Sequence, residues 1–186
     1  MINQCVTCNY QWQTTKAEIK CPNCKSDLVV STEGVTTSKV SEQIIDKIKR
    51  ELDSGDIRTY LENCKKNYDQ YVEAATTLFK DYYDMAFQKI DQWYDLFTTK
   101  ALKLEKLGKI EKEKEVLKSA IKDNIDTPYI YERLAYIYRK EGNIKDAYNV
   151  CKKWFDTGYW KIPNMATTSL AILNLMEKLE KDLQTS

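Results

Sequence analysis

Residues 128–156 read PYIYERLAYIYRKEGNIKDAYNVCKKWFD, and this stretch predicts two helices joined by a tight turn. Apolar and aromatic side chains recur at helical spacing on both sides of Gly142. Glycine adopts the left-handed backbone conformation without a steric penalty, so Gly142 is suited to end the first helix. Thr127 and Pro128 form the expected start, because proline is favoured in the first turn of a helix.

The same pattern occurs a second time, 34 residues earlier in the chain. A shift of 34 positions aligns similar residues over residues 94–161. The aligned pairs are Phe97 and Tyr131, Ala101 and Ala135, Leu104 and Tyr138, Gly108 and Gly142, Ile110 and Ile144, and Leu117 and Cys151. The small alanine in the first helix of each copy allows the second helix to pack closely. We therefore interpret residues 94–161 as two copies of a helix–turn–helix unit.

This helical region resembles the tetratricopeptide repeat family, and the second copy carries the better match. The family's signature positions are occupied there by Tyr131, Leu134, Ala135, Tyr138, Gly142, Asn143, Ile144 and Ala147. The first copy departs from the family pattern at Lys100 and Glu113, where leucine and alanine are usual. Residues 162–186 are predicted to form a C-terminal capping helix, since the end of a repeat array needs one.

The resemblance implies an array of antiparallel helix pairs with a concave surface that binds a protein or a peptide. By analogy with the family, five residues of the second copy would face that surface: Tyr129, Glu132, Tyr136, Arg139 and Lys140. Tyrosine and arginine are common in binding hot spots. The alternative is that these residues form an ordinary solvated helix face. The asparagine and lysine pattern with which some family members hold a C-terminal carboxylate is not matched.

Upstream of this region, residues 41–93 are predicted to form long, aromatic-rich helices. Apolar and aromatic residues recur with a helical period over residues 57–97, and residues 76–77 are the expected position of a break. We interpret this stripe as core rather than as a surface for base stacking or peptide binding. Cys64 and Cys151 lie on apolar helix faces and are predicted to be buried.

The other four of the six cysteines form two CxxC pairs, Cys5 with Cys8 and Cys21 with Cys24. Two such turns that face each other complete a tetrahedral shell of four thiolates, which suits Zn(II) or iron. A shell of four protein ligands leaves no position open for a substrate, so the expected role of the metal is structural. The alternative is that the pairs are redox dithiols or a chance arrangement, but two pairs at this spacing favour a metal site.

Residues 4–30 resemble the zinc-ribbon family. The run CVTCNYQW at residues 5–12 and the run CPNC at residues 21–24 are similar to the common prokaryotic ribbon pattern CxxCGYxW…CPxCG. Asn9 and Lys25 replace the usual glycines. The resemblance implies a short β-hairpin around one structural zinc ion.

Rubredoxin-like modules of rubrerythrins have similar spacing and bind iron, but those proteins also carry a di-iron bundle with histidine ligands, and this chain has no histidine. Zinc is therefore favoured.

The sequence thus predicts a mainly α protein in five segments. These are a zinc ribbon with a short β-hairpin (1–30), a linker of small polar residues (31–40), the aromatic-rich helices (41–93), two tetratricopeptide-like repeats (94–161) and a capping helix (162–186).

The glycine count of 5 and the proline count of 3 agree with a helical protein. No apolar run approaches the roughly 20 residues of a membrane helix. The start of the chain lacks a signal-peptide pattern, so we expect a cytoplasmic protein.

The residue types present also limit the function. Without histidine, catalytic sites that use a histidine base are excluded, and no phosphate loop or nucleophile pattern is found, so we expect a non-enzymatic protein. We expect an interaction or adaptor protein in which zinc stabilises the N-terminal module and the helical repeats bind a protein or peptide. The alternative is a nucleic-acid-binding regulatory protein whose ribbon contacts DNA or RNA. Its support is weak, because the net charge is only +1.

Elemental analysis of the purified protein should find about one zinc ion per chain. The double substitution Cys5→Ser with Cys24→Ser should abolish zinc binding, because it removes one thiolate from each pair. The control is Cys64→Ala with Cys151→Ala, which should retain the metal. Iron in place of zinc, or zinc that persists in the serine variant, would contradict the assignment.

Overall fold

A computed structural model of the protein describes residues 2–5, 11–13, 29–31, 42–89, 92 and 100–185. In these residues the protein is mainly α-helical, which confirms the predicted class. The chain divides into two compact units, residues 1–43 and residues 44–186. Three of the predicted zinc ligands, Cys8, Cys21 and Cys24, lie outside the described residues, as does the side chain of Cys5.

Three short backbone segments pair within the first unit. They are β1 (Ile2–Cys5), β2 (Gln11–Gln13) and β3 (Val29–Ser31). The three strands form an antiparallel sheet in the order β2-β1-β3. Because β1 is the central strand, Cys5 at its end pairs with Val29 at the start of β3.

The second unit is built from helices, and nine of them fall within residues 42–89 and 100–185. They are α1 (Glu42–Asp53), α2 (Ile57–Lys66), α3 (Tyr68–Leu78), α4 (Lys80–Gln88), α5 (Leu102–Lys106), α6 (Ile110–Lys122), α7 (Pro128–Lys140), α8 (Ile144–Asp156) and α9 (Ala166–Gln184). Two 3-10 turns, Tyr159–Lys161 and Pro163–Met165, precede α9. No helix in these ranges has the length and apolar character needed to cross a membrane.

Helices α2, α3 and α4 cover most of the aromatic-rich segment and are separated by single residues, Asn67 and Phe79. The break expected at residues 76–77 therefore lies at Phe79, and Asn67 adds a second one. The φ angles at these two residues are −121° and −123°, outside the helical range. At the first break the carbonyl oxygen of Asn63 accepts two hydrogen bonds from Asn67, one from its N–H and one from its side-chain amide.

The C-terminal helix α9 connects the early and late parts of the helical unit. It packs against α7 and α8, and also against α2. Its buried apolar side chains include Leu170, Ile172, Leu173 and Leu179. Besides covering the last predicted helix pair, α9 therefore shares a core with the aromatic-rich segment. The burial of these apolar side chains is the main stabilising contribution to the packing of α9 against α2, α7 and α8.

Trp154 is the largest fully buried side chain among the described residues and connects three helices. It lies on α8, its ring centroid is 5.4 Å from that of Tyr131 on α7, and its Nε1–H donates to the hydroxyl of Ser169 on α9 at 3.0 Å. Ser169 is also fully buried, so this hydrogen bond satisfies two polar groups that water does not reach.

The turns after α5 and α7 have the same backbone geometry. Gly108 and Gly142 are both left-handed, with φ of 63° and 77°. In each turn the glycine N–H donates to the carbonyl three residues earlier. The next residue, Lys109 or Asn143, donates to the carbonyl five residues earlier at 2.9 Å. The helices that follow, α6 and α8, are both 13 residues long and begin at Ile110 and Ile144.

Alanine should be tolerated better at Gly142 than at Gly158. The two glycines have φ of 77° and 78°, and a left-handed alanine costs about 1–2 kcal/mol at either. An added Cβ meets no atom within 4 Å at Gly142, whereas at Gly158 it would lie 2.5 Å from the Tyr82 hydroxyl oxygen. We expect the free energy of unfolding in urea to fall by about 1 kcal/mol for Gly142→Ala and by at least about 2 kcal/mol for Gly158→Ala.

The Tyr82→Ala background is the control, since it removes the side chain that the added Cβ would meet at Gly158. In that background the two glycine substitutions should have equal costs. Equal losses of unfolding free energy in the wild-type background would contradict the close approach of the Tyr82 side chain to Gly158.

Candidate interaction face on helix α7

Helix α7 has one side in the core and one side that is partly open. It begins at Pro128, after Thr127 in an extended conformation, and ends at the Gly142 turn. Its buried side chains pack against α6, α8 and α9. They are Ile130, Tyr131, Leu134, Ala135 and Ile137. Because these side chains recur at helical spacing on one side of α7, the opposite side is not part of the core.

The five residues predicted to face a partner differ in their exposure. Tyr136 and Lys140 are exposed, while Tyr129, Glu132 and Arg139 are half-buried. Tyr136 exposes 41% of its surface, and of the described aromatic residues only Tyr68 is more exposed. Tyr129, Tyr136 and Lys140 share one side of α7, since side chains seven and four positions apart lie above one another on a helix.

Two cations lie against the Tyr136 ring. The Nζ atom of Lys140 is 4.8 Å from the ring centroid, and the guanidinium carbon of Arg133 is 5.7 Å from it. Cations at such distances are attracted to the negative face of an aromatic ring, by about 0.5–1 kcal/mol at an exposed site. These contacts restrict the ring and so reduce the entropy that it would lose on binding.

Arg133 is the residue of this face that the sequence analysis missed. Its Nε and NH2 groups donate to the two carboxylate oxygens of Glu113 on α6, at 2.6 and 2.9 Å. Its NH1 group is 3.1 Å from a carboxylate oxygen of Glu105 on α5. The guanidinium therefore joins three helices, and its hydrogen bonds are used within the protein rather than left for a partner.

A signal for this ion pair was present in the sequence. Glu113 occupies the position equivalent to Ala147, and both residues are fully buried. A carboxylate at a buried small-residue position requires a cation with hydrogen bonds, because an unpaired buried charge is very costly. The partner was not identifiable, since Arg133 is 20 residues away on the next helix.

Burial affects two further residues of the face, Tyr129 and Glu132. The Tyr129 hydroxyl is 3.5 Å from a carboxylate oxygen of Glu105, and burial, with the nearby charge of Glu105, raises the pKa of Tyr129 to about 12. Burial also raises the pKa of Glu132. The tyrosine therefore stays a neutral hydrogen-bond donor at physiological pH.

The described cysteines do not form a chemical site. Cys64 and Cys151 are both buried, as predicted, and burial raises the pKa of each thiol to about 12. A thiol with so high a pKa is a poor nucleophile. Within the described ranges, no cluster of three metal-ligating side chains occurs.

Comparisons of the chain with protein-family models, curated proteins and solved structures find no match.

Arg133→Met should destabilise the helical unit by about 3 kcal/mol or more, because it leaves the fully buried Glu113 carboxylate unpaired. Adding Glu113→Ala to that variant should restore much of the lost free energy of unfolding in urea denaturation, since it removes the unpaired charge. The control is Arg58→Met in the exposed pair with Glu177, which should cost about 1 kcal/mol or less. Additive effects of the Arg133 and Glu113 substitutions would contradict the buried pair.

Proposed function

We propose that this protein is a non-enzymatic interaction protein whose helix α7 binds a protein or peptide partner. The observation that carries the proposal is the exposed ring of Tyr136, which the cationic groups of Arg133 and Lys140 contact. A partly restrained tyrosine beside cations has the properties of a binding hot spot, since it offers a large contact area at a low entropic cost.

The charges around Tyr136 favour one kind of partner segment. Arg133 is neutralised by Glu105 and Glu113, whereas Lys140 has no carboxylate within ion-pair distance among the described residues. The ring of Tyr136 and the ammonium group of Lys140 are thus the groups left for a partner. A segment that places an apolar side chain on the ring and a carboxylate near Lys140 fits both groups.

The backbone geometry supports a tetratricopeptide-like arrangement for this face. The Gly108 and Gly142 turns share their hydrogen bonds, and α6 and α8 begin 34 residues apart with the same length. In that arrangement the first helix of each pair lines the binding surface, and α7 is the first helix of the second pair. Tyr129, Tyr136 and Lys140 are on its partly open side.

For the N-terminal unit we propose a structural zinc site formed by Cys5, Cys8, Cys21 and Cys24. The chemistry of four thiolates in two CxxC pairs supports it. The backbone pairing is compatible with it, because Cys5 ends the central strand and Val29, which follows Cys24 closely, starts the neighbouring strand. The zinc would stabilise the fold of this unit and take no part in a reaction.

Affinity purification from the native host, followed by mass spectrometry, tests the proposed face. Tyr136→Ala with Lys140→Glu should lose the partner that the wild-type protein retains, because it removes both the ring and the cation. The matched control is Tyr68→Ala, since Tyr68 on α3 is similarly exposed at 44%. That control should retain the partner.

Recovery of the same proteins with all three forms would show that α7 is not the binding face. Retention that depends on nucleic acid, and that is lost after nuclease treatment, would instead favour the nucleic-acid-binding alternative.

A further inference from the structure

A cavity of about 630 Å³ lies at the N-terminal end of α7, between α4, the two 3-10 turns and the start of α9. Its volume is within the range of ligand sites, about 300–1,000 Å³, so it has room for a large aromatic side chain. The apolar side chains of its wall include Ala86, Ile125, Pro128 and Met165, and each of these is partly accessible. The wall therefore offers apolar surface to an occupant that enters from outside.

The polar groups of the wall do not ask for a polar occupant. Lys89 Nζ donates to the Asn124 carbonyl oxygen at 2.5 Å, and the Asp126 carboxylate accepts a hydrogen bond from a tyrosine hydroxyl of α7. The ammonium group and the carboxylate give the lining a net charge of zero. The hydroxyl oxygens of Thr127 and Tyr159 are buried and do not reach the cavity. A charged occupant would lose its hydration here without a free counter-ion.

The residue types of the wall favour an aromatic occupant. Tyr83 and Tyr129 line the cavity, and aromatic rings pack favourably on one another in offset or edge-to-face arrangements. Met165 lies on the same wall, and a methionine sulfur makes favourable contacts with ring edges while its flexible side chain adapts to their shape. A phenylalanine or tryptophan side chain thus fits this wall.

Tyr129 connects the cavity with the proposed binding face of α7. It lines the cavity, and it shares one side of the helix with Tyr136 and Lys140. An α-helix rises about 1.5 Å per residue, so Tyr129 and Lys140 are about 16 Å apart along the helix axis. An extended chain covers about 3.3 Å per residue, so a segment of about five residues spans this distance.

We propose that this cavity is the anchor site of the α7 face and receives an aromatic side chain of the bound segment. A carboxylate about five residues away in that segment pairs with Lys140, and the extended chain between the two passes over the ring of Tyr136. The inference rests on the proposed binding function of α7. It adds the two residue types that the partner must carry and the spacing between them.

Short peptides with blocked termini test this chemistry on the full-length protein. The probe has tryptophan at one end and glutamate at the other, with about four glycine and serine residues between them, and is made in both chain directions. In calorimetric titrations we expect one direction to bind with saturation at one peptide per chain. Alanine in place of tryptophan should weaken binding at least about tenfold. Glutamine in place of glutamate should weaken it about two- to fivefold.

Substitutions test whether the tryptophan occupies this cavity. Ala86→Phe fills the cavity from α4 and should abolish the difference in affinity between the tryptophan and alanine peptides. Ile125→Ala removes part of the wall without adding bulk and should weaken the tryptophan peptide about three- to tenfold. The matched control is Met85→Phe, since Met85 neighbours Ala86 on α4 but is 46% exposed and does not line the cavity. That control should bind both peptides like the wild type. Lys140→Gln should abolish only the difference between the glutamate and glutamine peptides.

The outcomes separate this inference from the proposed function. The absence of saturable binding in both chain directions would overturn the anchor site, as would a tryptophan contribution that Ala86→Phe and Ile125→Ala leave unchanged. A partner from the native host that is lost with Tyr136→Ala plus Lys140→Glu but kept by Ala86→Phe would also overturn it, and would leave the proposed face standing. A partner that all of these variants keep would overturn the face itself.

Discussion

The indole of Trp154 lies fully buried where α7, α8 and α9 meet, and its N–H donates to the buried hydroxyl of Ser169. This contact constrains the helical unit in two ways. The large ring fixes the spacing of the three helices, since a core at crystal-like density has no room for another arrangement. The hydrogen bond fixes the rotation of α9, because a turned helix would leave two buried polar groups unpaired. The orientation of α9 in turn determines which of its side chains pack against α2.

The buried pair of Glu113 and Arg133 plays a different part. A buried ion pair often contributes little net stability, because the loss of hydration offsets much of the attraction. Its geometry is nevertheless specific, since the guanidinium fork must meet two carboxylates that lie on α5 and α6. The pair therefore holds α7 at one position relative to the preceding helices. It also places the guanidinium beside Tyr136, which couples the internal packing of the unit to the proposed binding face.

The helical unit combines buried polar groups that are paired with two buried hydroxyls that are not, one just before α7 and one in the turn before α9. Ser169 and Glu113 have partners, although both are completely buried. Thr127 and Tyr159 have none among the described residues. An unpaired buried hydroxyl lowers stability, because no hydrogen bond compensates for its lost hydration.

The sequence by itself determined the features that depend on near neighbours. Side-chain periodicity and backbone preference predict the helix start at Pro128, the left-handed turn at Gly142 and the burial of Cys64 and Cys151. In the structure α7 begins at Pro128, Gly142 ends it before α8, and both cysteines are buried. The family resemblance predicted a binding surface with Tyr129, Glu132, Tyr136, Arg139 and Lys140, which stays a prediction, and it did not include Arg133. The partners of Arg133, the contact of α9 with α2 and the hydrogen bond from Trp154 to Ser169 were decided only by the tertiary structure. These features join residues that are distant along the chain, and local periodicity shows which face of a helix is buried but not which helix covers it.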